Sequence, residues 1–248
     1  MSGHNKWSSI KHKKAKADAA RGKIFTRLIK EIAVAARFGG GDENSNPRLR
    51  TALAAAKAAN MPSANIERAI KRGTGELPGV TYEEITYEGY TAGGAALIIE
   101  VLTDNKNRTV ADIRHLFSKH NGSLGESGSV AWIFDKKGVV HVKNENVDED
   151  ELMLLALEAG ADDVKNLDDV FEILTEPETF EAVRNEIAAA DYEIESAEVT
   201  RYPQNTVKIE RKQAGQALKL MDALDEHEDV QNIYSNFDID EKLMEELG

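Results

Sequence analysis

The sequence of 248 residues contains no cysteine. A disulfide framework, a thiolate zinc site, an iron–sulfur cluster and a cysteine nucleophile are therefore excluded. Proline is scarce, at 5 residues, and the 18 glycines form no low-complexity tract. With 41% hydrophobic and 30% charged residues, the composition is that of an ordinary soluble globular protein. No apolar run approaches the roughly 18 residues needed to span a bilayer. The stretch from Ser2 through Lys16 lacks the apolar core of a secretory leader. A basic, acid-poor start can imitate an organellar transit peptide, but Asp18 brings in acid early and the segment runs straight into a helical pattern. A cytoplasmic chain that does not engage a membrane is the expectation.

Signatures of catalysis are also missing. No His-Glu-x-x-His pair exists, and His115 and His120 are five apart, off a common helical face. No serine sits in a Gly-x-Ser-x-Gly setting. Gly39-Gly40-Gly41 and Arg72-Gly73-Thr74-Gly75-Glu76 lack the Gly-Lys-Ser/Thr ending of a phosphate-binding loop and read as helix stops and linkers. The acidic run Asp148-Glu149-Asp150-Glu151 opens a predicted helix, where negative charge complements the dipole. A non-enzymatic protein is expected, with no cofactor, no metal and no small-molecule substrate.

What the sequence does carry is a divided charge. The net of −13 conceals 16 Lys and Arg against 6 Asp and Glu in residues 1–79, a net of +10, while residues 80–248 hold a net of −23. Such asymmetry predicts a basic arm for a polyanion joined to an acidic body, which in turn suits basic protein partners.

Hydrophobic periodicity supplies the frame. Phe25, Leu28, Ile29, Ile32 and Ala36 recur at helical spacing, with Lys23, Arg27, Lys30 and Arg37 largely opposite and Asp18 as a cap. The glycines at 39–41 end this helix. Asn46-Pro47 offers a cap and a first-turn proline for a second helix through Leu49, Leu53 and Ala56. Ser63 is read as the cap of a third through Ile66 and Ile70, closed by Gly73. Beyond residue 79 the pattern predicts strands at 82–87, 95–102 and 128–134 around a helix at 109–120. A second set follows: strands at 139–142, 163–165, 170–174 and 194–200, with helices at 150–158 and 179–190. A last helix at 214–224 leads to a strand at 230–237. Residues 138–200 thus read β-α-β-β-α-β, the ferredoxin-like order, and the flanking pieces form a second such unit interrupted by the first. The expected fold class is α+β, an N-terminal helical bundle followed by two ferredoxin-like α/β domains, one inserted in the other. The expected domains are 1–79, 80–134 plus 209–240, 135–208, and a charged tail at 241–248.

The candidate nucleic-acid contacts are Lys6, Trp7, Lys11, His12, Lys13, Lys14 and Lys16, continued by Arg21, Lys23, Arg27 and Lys30. Lysines this dense repel one another, and neutralised phosphates release condensed counterions in exchange. Trp7 either stacks on a base or pins the arm to the bundle. A second contact is expected at Asn105, Lys106, Asn107 and Arg108, where a helix start with two basic side chains could hold a phosphate, although ordinary capping accounts for the same residues.

Several of these segments occur in one known family. Ser2-Gly3-His4-Asn5-Lys6-Trp7-Ser8-Ser9-Ile10-Lys11-His12-Lys13, Asn46-Pro47-Arg48-Leu49-Arg50, Asn60-Met61-Pro62, Tyr87-Glu88-Gly89-Tyr90, Asn107-Arg108-Thr109-Val110-Ala111 and Gly128-Ser129-Val130-Ala131 resemble, in order, the YebC/PmpR family. The resemblance implies a helical N-terminal domain and two α/β domains. It also implies DNA-binding transcriptional regulation or, as for relatives including the mitochondrial one, translational activation at the ribosome; for this chain the second alternative is a basic domain that binds ribosomal RNA. Thr91-Ala92 stands where many relatives have Gly-Pro, and Asn5 where many have Ser.

Overall fold

A computed structural model describes residues 17–145, 147–167, 169–240, 243, 246 and 247, with side chains from residue 22 onward. Three helices open the described chain: α1 (Ala17–Gly39), α2 (Pro47–Ala58) and α3 (Ser63–Gly73). Their apolar stripes meet around Ile32, Ala36, Leu49, Leu53 and Ala56. Asp18 already lies inside α1 and does not precede it. Gly40, at φ +83°, turns the chain out of that helix, and its N–H returns to the Ala36 carbonyl at 2.9 Å.

Asn46 then serves two helix ends at once. Its Oδ1 accepts from the Leu49 N–H at 3.0 Å, capping α2, while its Nδ2 donates to the Ala35 and Gly40 carbonyls at 2.8 and 2.9 Å. The residue is 4% exposed, so these bonds satisfy a polar group that would be costly to bury alone. Ser63 does not cap α3. Pro62 occupies the cap position without a side-chain bond, and Ser63 is the first helical residue. At the far end of α3, Gly73 lies against α1 so closely that a Cβ there would stand 2.3 Å from the Ala33 carbonyl oxygen.

The middle unit begins with a hairpin, β1 (Glu83–Tyr90) against β2 (Ala96–Thr103). Gly93 and Gly94, both at positive φ, make its turn. Helix α4 (Lys106–Lys119) and the short β3 (Ser123–Leu124) follow, and after a long excursion the chain returns with α7 (Arg211–Glu226) and β9 (Val230–Ser235). The sheet is antiparallel in the order β3-β1-β2-β9. Its central strand β2 is buried on both faces. Leu97, Ile99 and Val101 pack on α4 and α7, whereas Ala96 and Ile98 meet Val130, Ile133 and Phe134.

The excursion contains β4 (Phe134–Lys143), α5 (Glu149–Glu158), β5 (Asp163–Asn166), β6 (Val170–Thr175), α6 (Phe180–Ala189) and β7 (Ile194–Pro203). The strand order β5-β6-β4-β7, antiparallel throughout, is the ferredoxin-like arrangement read from the sequence. Two short strands, β8 (Val207–Lys208) and β10 (Phe237–Asp238), pair in parallel beside the return to the middle unit. Among the described residues no helix is long and apolar enough to cross a membrane.

The strand expected at 128–134 is absent. Residues Ala131–Ile133 form a 3-10 turn, and the strand starts only at Phe134. The cause is Glu88, 5% exposed, whose carboxylate accepts from the backbone N–H of Gly128, Val130 and Ala131 at 2.6, 2.7 and 2.8 Å. Those donors would otherwise serve a sheet ladder. Burial works to raise the pKa of this carboxyl, but the three N–H groups overcome it and hold it below the usual range.

Candidate nucleic-acid interface

Lys6, Trp7, Lys11, His12, Lys13, Lys14 and Lys16 lie outside the described residues. Arg21 belongs to α1 by its backbone, and Lys23 is partly exposed on the same helix.

Arg27 and Lys30 are drawn inward, contrary to the sequence expectation. The Lys30 ammonium, in a residue 7% exposed, donates to Asp229 Oδ1 at 2.6 Å and to the Leu102 and Glu228 carbonyls at 3.3 and 3.0 Å. Arg27 places both terminal nitrogens 3.1 Å from Asp225 Oδ1. Periodicity correctly removed these cations from the bundle's apolar stripe. It could not show that the flank of α1 bearing them packs on the middle unit.

Asp229 is the centre of this junction. Besides Lys30, its carboxylate accepts from Thr103 Oγ1 at 3.1 Å, Thr109 Oγ1 at 2.7 Å and Arg108 Nη2 at 3.0 Å. Burial pushes its pKa up, but the hydrogen bonds from Lys30, Thr109 and Arg108 prevail and hold it well below the usual carboxylate range.

The second expected contact segment is largely engaged in folding. Asn105 Oδ1 caps α4 through the Arg108 N–H at 3.1 Å, and Arg108 also bonds Asp104 at 2.9 Å. Lys106 and Asn107 remain exposed.

The cations best placed outward are ones that the sequence reading did not nominate. Arg37, Arg50, Arg68, Lys71 and Arg72 are all exposed, and none forms an ion pair with a carboxylate among the described residues. Three of them fall in the last half of α3, whose strong amphipathicity was the available signal.

The inserted sheet carries a different polar chain, unforeseen from sequence. Ser196 Oγ lies 2.9 Å from His141 Nδ1, His141 Nε2 lies 3.1 Å from Glu172 Oε2, and the Tyr202 hydroxyl donates to Glu172 Oε1 at 2.7 Å. Glu172 is 1% exposed. Burial raises its pKa, yet the bonds from His141 and Tyr202 bring it below the ordinary range. A hydrolase serine stands on a sharp turn beside free backbone donors, whereas Ser196 lies inside β7 opposite His141. The chain of bonds ties neighbouring strands laterally. Among the described residues no cluster of His, Asp or Glu is arranged to hold a metal ion.

A three-helix head packed on the first of two antiparallel α/β sheet units defines an α+β protein. Residues 5–76 match the model of the TACO1/YebC protein N-terminal domain, and residues 82–237 match that of the TACO1/YebC second and third domain. The chain belongs to the TACO1/YebC family. A "Probable transcriptional regulatory protein" of Desulfatibacillum aliphaticivorans is 61% identical over 96% of this chain and 97% of its own. One of the same description from Geobacter sulfurreducens is 58% identical over the full length of both. The crystal structure of a conserved hypothetical protein from Aquifex aeolicus is 48% identical, with a TM-score of 0.77 over 92% of this chain and 94% of that one.

Proposed function

We propose that the protein is a non-enzymatic regulator of gene expression that binds nucleic acid through its N-terminal unit. The observation carrying this reading is the division of charge, +10 in residues 1–79 against −23 in the remainder. A surface of this kind attracts polyanions by counterion release whatever the global pI. The names of the relatives favour transcription, with the arm and the outer bundle on the DNA backbone. Arg27 and Lys30 drop out of the contact set, and Arg50, Arg68 and Lys71 join the arm lysines. Among the described residues no recognition helix stands out by a clear base-reading set of Arg, Asn and Gln, and the contacts proposed are to phosphate.

A second reading is favoured by the acidic body. A charge of −23 opposes an extended duplex but suits basic ribosomal proteins, with the basic head on ribosomal RNA. Ultraviolet crosslinking in living cells separates the two. DNA at a few promoters supports the transcriptional regulator, predominant ribosomal RNA supports a translation factor, and no crosslinked nucleic acid sinks both. Cytoplasmic location belongs to this proposal.

A further inference from the structure

Where the helical head meets the linker to the middle unit, the surface forms a groove of about 360 Å³. Its walls come from α1 (Val34 and Arg37), the end of α3 (Arg72) and the linker (Pro78, Val80 and Tyr82). A more apolar hollow of about 330 Å³ shares the Arg72, Pro78, Val80 and Tyr82 walls and extends it toward Ile29. These volumes sit at the lower end of small-ligand sites, roughly 300–1,000 Å³.

Three features set this groove apart. First, the molecule carries 44 acidic residues, yet neither Arg37 nor Arg72 forms an ion pair with any carboxylate among the described residues. Secondly, each arginine touches a neighbour that places it. The Arg72 stem lies along Gly79, where a Cβ would come within 3.1 Å of its Cγ, and Arg37 donates from Nη1 to the Tyr82 carbonyl at 3.5 Å while standing 5.7 Å from the Phe38 ring centroid. Thirdly, apolar surface is displayed beside the charge, with Phe38 68% exposed and Val80 55% exposed. Positive charge bordering an apolar and aromatic wall is the combination that holds a phosphate and a base together.

We propose that this groove receives an unpaired nucleotide of a single-stranded nucleic acid, with Arg37 and Arg72 on the backbone phosphates and the base against Pro78, Val80 and Tyr82. A duplex is a poor occupant, because its bases remain inside the stack unless they are unpaired and flipped out. The proposal rests on the nucleic-acid reading and narrows it to an unpaired strand at this place.

The test compares a fluorescently labelled oligouridine dodecamer with a blunt DNA duplex of the same length, titrated with the full chain at several salt concentrations. The Arg37→Ala/Arg72→Ala double variant is expected to bind the single strand at least tenfold more weakly. Its salt slope should flatten by about 1.4, two phosphates at ~0.7 each, while duplex binding holds steady. Val80→Asp, an exposed substitution that sets a carboxylate beside the two guanidiniums, should reproduce the loss. Unchanged thermal unfolding shows that both variants fold. Single-strand binding equal to wild type in both variants overturns the groove, as does an equal loss on strand and duplex. Wild-type protein that binds neither probe at low salt overturns the nucleic-acid reading itself.

Discussion

At the scale of single residues, Asp229 is a buried carboxylate with four side-chain partners. The carboxylate is 2% exposed and shares its two oxygens among Lys30, Thr103, Thr109 and Arg108. Replacing both ions of such a pair by apolar groups is often tolerated, but removing one strands the other. Asp229→Asn is therefore expected to cost about 3 kcal/mol at neutral pH, read as a lower urea midpoint. The pH dependence has a definite sign. The folded carboxylate has a depressed pKa, so its stabilisation is complete above about pH 4, the unfolded range, and is lost as the pH falls below that toward the folded value. The gap in midpoint between wild type and Asp229→Asn should shrink on acidification from pH 6 to pH 3; a constant gap would contradict the assignment. Glu88 makes a parallel case. Glu88→Gln keeps the shape but turns an amide donor toward backbone N–H groups, so the 128–132 turn should loosen. Trp132, 66% exposed and bonded by its Nε1 to the Ser129 carbonyl at 3.1 Å, reports this as a shift in indole emission.

Among the elements, contact between helices depends on a missing atom. Any Cβ at Gly73 would also stand 2.8 Å from that of Ala36, so α1 and α3 must separate to admit it. Gly73→Ala should destabilise the bundle by about 1–3 kcal/mol, in the range of overpacking. Faster amide exchange in α3, with β2 unaffected, is the measurement; equal protection in both proteins would refute it. The helices themselves were legible in sequence because each buries one stripe at its own period, and Asn46-Pro47 marks a boundary by local chemistry alone. The segment 128–134 was not. Its Val, Trp, Ile and Phe suit a strand, and what forbids one is a carboxylate forty residues earlier. The same limit hid the fate of Arg27 and Lys30. Their partners stand 198 and 199 residues along the chain, where no pattern in α1 can point. The outward cations of α3 were visible as charges, but the linker that completes a groove beside Arg72 has no recognisable motif.

Across the whole molecule, the layout separates binding from body. Changing Lys11, Lys13, Lys14 and Lys16 together to Ala should lower the salt slope for duplex DNA by about 3.6, some 0.9 for each phosphate no longer neutralised. Stability should hardly move, and an unchanged slope would remove the arm from the interface. The inserted sheet unit offers a second test. Phe134 and Pro203 are register partners at its base, and the Gln204 N–H donates to the Ile133 carbonyl at 2.8 Å. Replacing 135–202 by Asn-Gly joins neighbours through the tightest hairpin turn. The shortened chain should keep slow exchange in β2 and its affinity for nucleic acid; loss of cooperative unfolding would show that the insert is needed for the remainder to fold.

The junction at Asp229 also has a place in time. A growing chain emerges at about 5–20 residues per second, and 199 residues separate Lys30 from the carboxylate that holds it. For roughly 10–40 s Lys30 is therefore outside the ribosome before its carboxylate partner follows. The polyanion nearest to it during that interval is the RNA of the ribosome that is making it.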